Sequence, residues 1–150
     1  DPALGLDPVS RRALNETLLD FCDAGQRTIL LSSHLLDDVE RVADRIALMV
    51  DGRLLVDTTI DDFRQRVGAW ALDLTPGTRA TDAIAGVIQA RQFGGRTIVT
   101  VADPDQETAA ALARLSSAEP EAVPVSFEDA VIAYLSRSRE SQSFFAVSGV

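Results

Sequence analysis

The stretch "TILLSSHLLDDVERVADR", Thr28 to Arg45, decides how the fold is read. It opens with an apolar run of strand length that is β-branched at its start. A run without polar alternation fits a strand buried on both faces of a parallel sheet. The chain's one histidine, His34, closes that run. From Leu35 to about Ala43 the spacing becomes helical, with Leu36, Val39 and Ala43 inward and Asp37, Asp38, Glu40 and Arg41 outward. A buried strand running into a helix is α/β architecture, and ligands of open α/β sheets sit beyond the carboxyl ends of their strands. A lone histidine at that place is a polar surface group, a metal ligand or a residue aimed at a phosphate. No second histidine and no cysteine lies at helical or strand spacing from it, which disfavours the metal.

Upstream, Pro8 to Ala24 reads as a helix. Asp7 can cap it, and Pro8 suits the first turn, where a missing N–H costs nothing. Leu14, Leu18 and Phe21 recur at helical spacing, with Arg11, Arg12, Glu16 and Asp20 towards solvent, and Gly25 follows as a stop. Downstream, "RIALMV-DG-RLLVD" is a hairpin around Asp51-Gly52, and Thr58 to Val67 is a short helix. After Gly68 the pattern restarts. Strand "WALDLT", a Pro-Gly turn, a helix over Thr81–Ala90, strand "RTIVTVA", a helix over Asp105–Ser116, strand "AVPVSF" and a last helix to about Arg137 follow in order. "FGG" at Phe93–Gly95 is a turn before a strand, and Ser126 with Asp129 resembles a capping box. Ile84, Val87, Ile88, Ala111 and Leu115 read as core. The expected organisation is a first domain over 1–60, a second small α/β domain over 61–137, and a serine-rich tail over 138–150 that lacks pattern and is expected to be mobile.

Composition narrows the chemistry. The net charge of −9 over 150 residues gives no electrostatic footprint for nucleic acid. All 14 basic residues are arginine, so neither Schiff-base chemistry nor a P-loop lysine resides in this chain. One cysteine and one histidine cannot build a Cys/His zinc site, and Cys22, among Leu18, Leu19 and Phe21, reads as a small core hydrophobe. No apolar run of about 18 residues spans a bilayer. The acidic face of "LLDDVERVAD" reads as solvated.

Three features of the first domain belong together: "GLDP" near the start, an apolar strand ending in "SSH", and a helix followed by "DGRL". Together they resemble the ATP-binding-cassette (ABC) ATPases, in particular the drug- and antibiotic-export members. "GLDP" is similar to the D-loop and "LLSSH" to the switch-histidine strand, while "LLDDVERVADRIALMVDGRL" is similar to the segment that follows. The resemblance is strong over residues 1–67 and looser at "SFEDAVIAYLSR", which is similar to the end of an ABC-2 exporter accessory domain. It implies a fold class of α/β, the C-terminal part of a P-loop NTPase sheet followed by the accessory domain.

The resemblance also implies roles. His34 would contact the γ-phosphate of ATP and help stabilise charge in the transition state. Asp7 would reach the partner subunit's nucleotide across a head-to-tail dimer, a role compatible with capping. Asp1 stands where the family usually carries a catalytic glutamate, giving "DP" in place of "EP". The shorter side chain withdraws the carboxylate by about 1.5 Å, and a misplacement of that size can cost ~100-fold in rate. The implied cofactors are ATP and Mg2+, held mainly by residues outside this chain. The implied partners are a membrane permease and a second ATPase subunit, identical or paired, at the cytoplasmic face of the membrane. No GxxxxGK[ST], Q-loop or LSGGQ-like signature is present, so the chain reads as the C-terminal part of a longer polypeptide. It is expected to be inactive in isolation. The rival readings are a non-catalytic docking or regulatory module and a soluble ABC ATPase without a permease.

Overall fold

Asp7 fixes where the first helix begins. Its carboxylate accepts from the Val9 and Ser10 amides, and α1 runs over Pro8–Asp23 with proline in its first turn. In the computed structural model, which describes residues 3, 5–25, 27–74 and 80–140, the chain divides into two compact units, 1–45 and 46–150. Of the sequence expectations, Asp1 and most of the tail, 141–150, lie outside the described residues.

The first unit pairs α1 with α2, Leu36–Val42. Arg11, Leu14, Asn15, Leu18 and Cys22 are the half-covered side of α1, a stripe at helical period. Neither helix has a fully buried residue. The expected strand at the start of "TILLSS" is not formed, because residues 27–33 hold no sheet and Leu30 is 95% exposed. The physical reason is that a parallel strand needs neighbours to satisfy its N–H and C=O groups. Among the described residues no strand pairs with this run.

In the second unit, β1 (Arg45–Val50, opening on the last residue of the first unit) and β2 (Arg53–Thr59) form the expected hairpin. Asp51 and Gly52 turn it with φ of 48° and 73°, as a two-residue turn matching strand twist requires. Ile46 and Leu48 point inward on alternate positions. Thr59 then caps α3, Ile60–Gln65, accepting from the Asp62 amide, and Asp61 and Asp62 suit the positive end of the helix.

A four-stranded antiparallel sheet follows, in the order β4-β5-β3-β6, from β3 (Val67–Leu72), β4 (Val87–Phe93), β5 (Arg96–Ala102) and β6 (Glu121–Val123). The expected helix over Thr81–Ala90 is a correction: Ala80–Ala83 is one 3₁₀ turn, and Val87 begins β4. The apolar residues there satisfied a helical spacing, but Gly94 and Gly95, both at positive φ, close a hairpin with β5.

Leu72, Val99, Val101 and Leu112 form a fully buried cluster, with Trp70, Leu74, Ile84 and Val87 against it. Leu112 lies on α4, Gln106–Leu115, capped by Asp105 through the Thr108 amide and hydroxyl. Val67, Ala69 and Ala71 take the opposite face of β3 and are also buried, so the strand is covered on both sides. Helix α5, Phe127–Glu140, buries Phe127, Ala130, Val131 and Ala133. Ser126 accepts from the Asp129 amide and donates to its carboxylate, as the capping reading expected. The Phe63 ring of α3 meets Phe127 edge-on at 5.7 Å and Tyr134 at 5.5 Å. Arg96 ties three strands, donating to Asp73 (3.0 Å), Glu121 (2.6 Å) and the Ala71 carbonyl (2.9 Å). Among the described residues no helix is long and apolar enough to cross a membrane.

Candidate functional site

The segment before α1 is shaped by its glycine. Gly5 sits at φ +82°, a conformation few side chains adopt, and lets the Leu6 amide turn back to the Ala3 carbonyl at 3.2 Å. The chain then enters the helix through Asp7, whose two carboxylate oxygens are both engaged. One accepts from the Val9 amide (2.9 Å) and the Ser10 amide (3.2 Å), the other from the Ser10 hydroxyl (2.5 Å). These bonds, the Ser10 hydroxyl first, hold the carboxyl below the usual aspartate range.

His34 is presented differently. Ser33 accepts from the Leu35 amide through its hydroxyl at 3.1 Å, a side-chain turn that brackets His34. The Leu35 carbonyl then accepts from the Asp38 and Val39 amides and opens α2. The imidazole is exposed, and the turn sets it at the entrance of the helix.

The two helices carrying these ends are joined by polar contacts that the sequence alone concealed. Arg11 Nε faces Asp38 Oδ2 at 3.4 Å, with side chains only 30% and 16% exposed. Both facing atoms are sealed from solvent and meet as an ion pair outside hydrogen-bond geometry. Asn15 Nδ2 donates to the other oxygen of Asp38 at 3.3 Å. Arg11 Nη2 also donates to the Leu6 carbonyl at 3.3 Å. Arg11 and Asp38, expected towards solvent, therefore turn into the interface of α1 and α2. Opposite charge makes this tolerable, because each supplies the partner that burial demands. Arg11 and Asn15 share a helix face at i, i+4, but that spacing does not name Asp38 as the acid they meet. Arg12 and Glu16, by contrast, stay exposed as expected and pair at 3.1 Å.

Among the described residues no three carboxylate, imidazole or thiol groups converge as a magnesium cage would require. Asp1, the third residue singled out, lies outside the described residues. Asp7 and His34 both fall in the first unit, each at the start of a helix.

No protein-family model matches the chain. Curated relatives do. An uncharacterized ABC transporter ATP-binding protein of Bacillus subtilis, YcbN, is 32% identical over 94 residues, 62% of this chain and 31% of the relative. The daunorubicin/doxorubicin resistance ATP-binding protein DrrA of Streptomyces peucetius is 35% identical over 74 residues, 49% of this chain and 22% of the relative. ATP-binding cassette sub-family A member 2 of Homo sapiens is 32% identical over 89 residues, 59% of this chain and 4% of the relative. The chain thus spans about a third or less of the length of these relatives.

Proposed function

From the premise that this chain is similar in sequence to ABC transporter ATP-binding proteins, we propose that it supplies the closing part of an ATP-hydrolysing cassette and an accessory domain attached to it. The reading assigns 1–60 to the C-terminal part of the P-loop NTPase fold and 61–137 to the accessory domain. Its functional boundary follows the β1–β2 hairpin, although that hairpin packs with the second unit. ATP and Mg2+ are the cofactors, held mainly by residues beyond this chain, and a membrane permease with a second ATPase subunit are the partners. The work is export-type transport from the cytoplasmic face.

The observation that carries this reading is the exposed side chain of His34, on the backbone turn that Ser33 closes before α2, within a segment of cassette-like sequence. Phosphoryl transfer to water depends on positioning and on charge stabilisation more than on covalent chemistry. An imidazole N–H donor at that place suits the developing charge on a γ-phosphate. In this reading Asp7 keeps its capping bonds and sets the end of α1 that faces a partner cassette. Asp1 is assigned as the carboxylate that polarises the attacking water.

The test is His34→Ala in the product of the intact gene. Its steady-state ATP turnover should fall by roughly 100-fold, the usual cost of one such donor. Unchanged turnover would sink the assignment.

A further inference from the structure

The polar contacts between α1 and α2 have a geometry that packing alone does not require. Arg11 lies four residues after Asp7, and Asp38 lies four residues after His34, so each is one helical turn beyond a candidate site residue. One guanidinium reaches both ways, to the Leu6 carbonyl at 3.3 Å and to the Asp38 carboxylate at 3.4 Å. Asn15 holds the second oxygen of Asp38 and so fixes the carboxylate's orientation. Arg11 is anchored in turn by its own helix, its amide donating to the Asp7 carbonyl at 2.9 Å.

We propose that Arg11 is a positioning residue, whose guanidinium, held between the Leu6 carbonyl and the Asp38 carboxylate, sets the segment carrying Asp7 against the turn carrying His34. The proposal rests on the reading of His34 and Asp7 given above and extends it to a residue that touches no nucleotide. Leucine or methionine would fill the same space in the helix interface. Neither could donate to a carbonyl on one side and neutralise a carboxylate on the other. Lysine keeps the charge but, as a compact point charge, cannot span both acceptors as the planar fork does. Removing Arg11 leaves the inward Asp38 carboxylate with Asn15 alone and frees the Leu6 carbonyl. The two ends then lose their common reference.

A double-mutant cycle read by NMR on the full 150-residue chain tests the linkage. Asp38→Asn should shift the Leu6 and Asp7 amide resonances, more than 30 residues away in sequence. It should also raise hydrogen exchange at the Leu6 amide by roughly three- to tenfold, the scale of one half-buried ion pair. In an Arg11→Met background the same substitution should do neither. Loss of helix packing would instead move amides along α1 in both backgrounds. Equal effects in both backgrounds, or none in either, would overturn the proposal.

The product of the intact gene supplies the functional arm. Arg11→Met should lower kcat for ATP hydrolysis several-fold with KM little changed, and Arg11→Lys should recover part of the loss. Unchanged kcat in Arg11→Met, where His34→Ala is impaired, overturns the positioning role. Should His34→Ala itself prove silent, the cassette assignment falls, and the NMR cycle alone decides whether Arg11 joins the two segments.

Discussion

Asp7 shows how much one side chain can be asked to do. Its carboxylate accepts three hydrogen bonds at the start of α1, all of which are stronger to the ionised form. They depress its folded pKa, so the stabilisation is fully present above the ordinary aspartate range near pH 4 and fades as pH falls through the depressed value. Hydrogen exchange at the Val9 and Ser10 amides should therefore stay slow in mild acid and quicken only below that range. Asp7→Ala should quicken it at neutral pH and abolish the acid transition, while Asp7→Asn, keeping one acceptor, should fall between. An unchanged acid transition in Asp7→Ala would assign the effect to another group. The ion pair of Arg66 with Asp103, at 2.5 and 2.8 Å, depresses an acid in the same sense. It lies in the second unit and has no bearing on Val9 or Ser10.

At the scale of elements, short-range chemistry was legible and pairing was not. Asp7-Pro8 and Ser126 announce helix starts and each caps its helix, and Thr59 and Asp105 prove to be caps as well. Asp51-Gly52 announces a hairpin and makes one. Residues 81–90 misled because Ile84, Val87 and Ile88 satisfy a helical spacing, while one decisive feature is a glycine whose demand is tertiary. Gly86 sits at φ +83°, and a Cβ there would meet the Ala102 carbonyl oxygen at 2.7 Å. That same Ala102 donates its amide to the Gly86 carbonyl at 2.8 Å, so the clash cannot be relieved without breaking the start of β4. Gly86→Ala should cost about 1–3 kcal/mol, the scale of strain at a disfavoured backbone conformation. Gly94, at φ +58° with open space around it, should accept asparagine within about 0.5 kcal/mol, since that residue tolerates the left-handed region. Denaturation followed by the fluorescence of Trp70, the chain's one tryptophan and part of the second unit's core, reads both. Equal effects from the two substitutions would refute the distinction. In the site, the Ser33 turn before His34 follows from local sequence. The inward Arg11 and Asp38 do not, because their partners lie more than 20 residues apart.

At the scale of the molecule, the two units differ in how far they complete themselves. The second covers β3 on both faces and holds an aromatic contact between α3 and α5. Neither helix of the first has a fully buried residue, and its strand-like run finds no neighbour among the described residues. In the proposed reading His34 would offer one donor to a phosphate, whereas holding a triphosphate takes a glycine-rich cradle of amides and a lysine. This sequence has neither, and its net charge of −9 repels a polyanion. The chain on its own should therefore show no micromolar ATP binding by titration calorimetry, with or without Mg2+. The product of the intact gene should bind, and His34→Ala should leave that affinity within a few-fold while lowering turnover, because a contact made chiefly in the transition state acts on kcat. Micromolar binding by the 150 residues alone would mean that groups of this chain hold the phosphates, and the division of labour proposed for it would have to be redrawn.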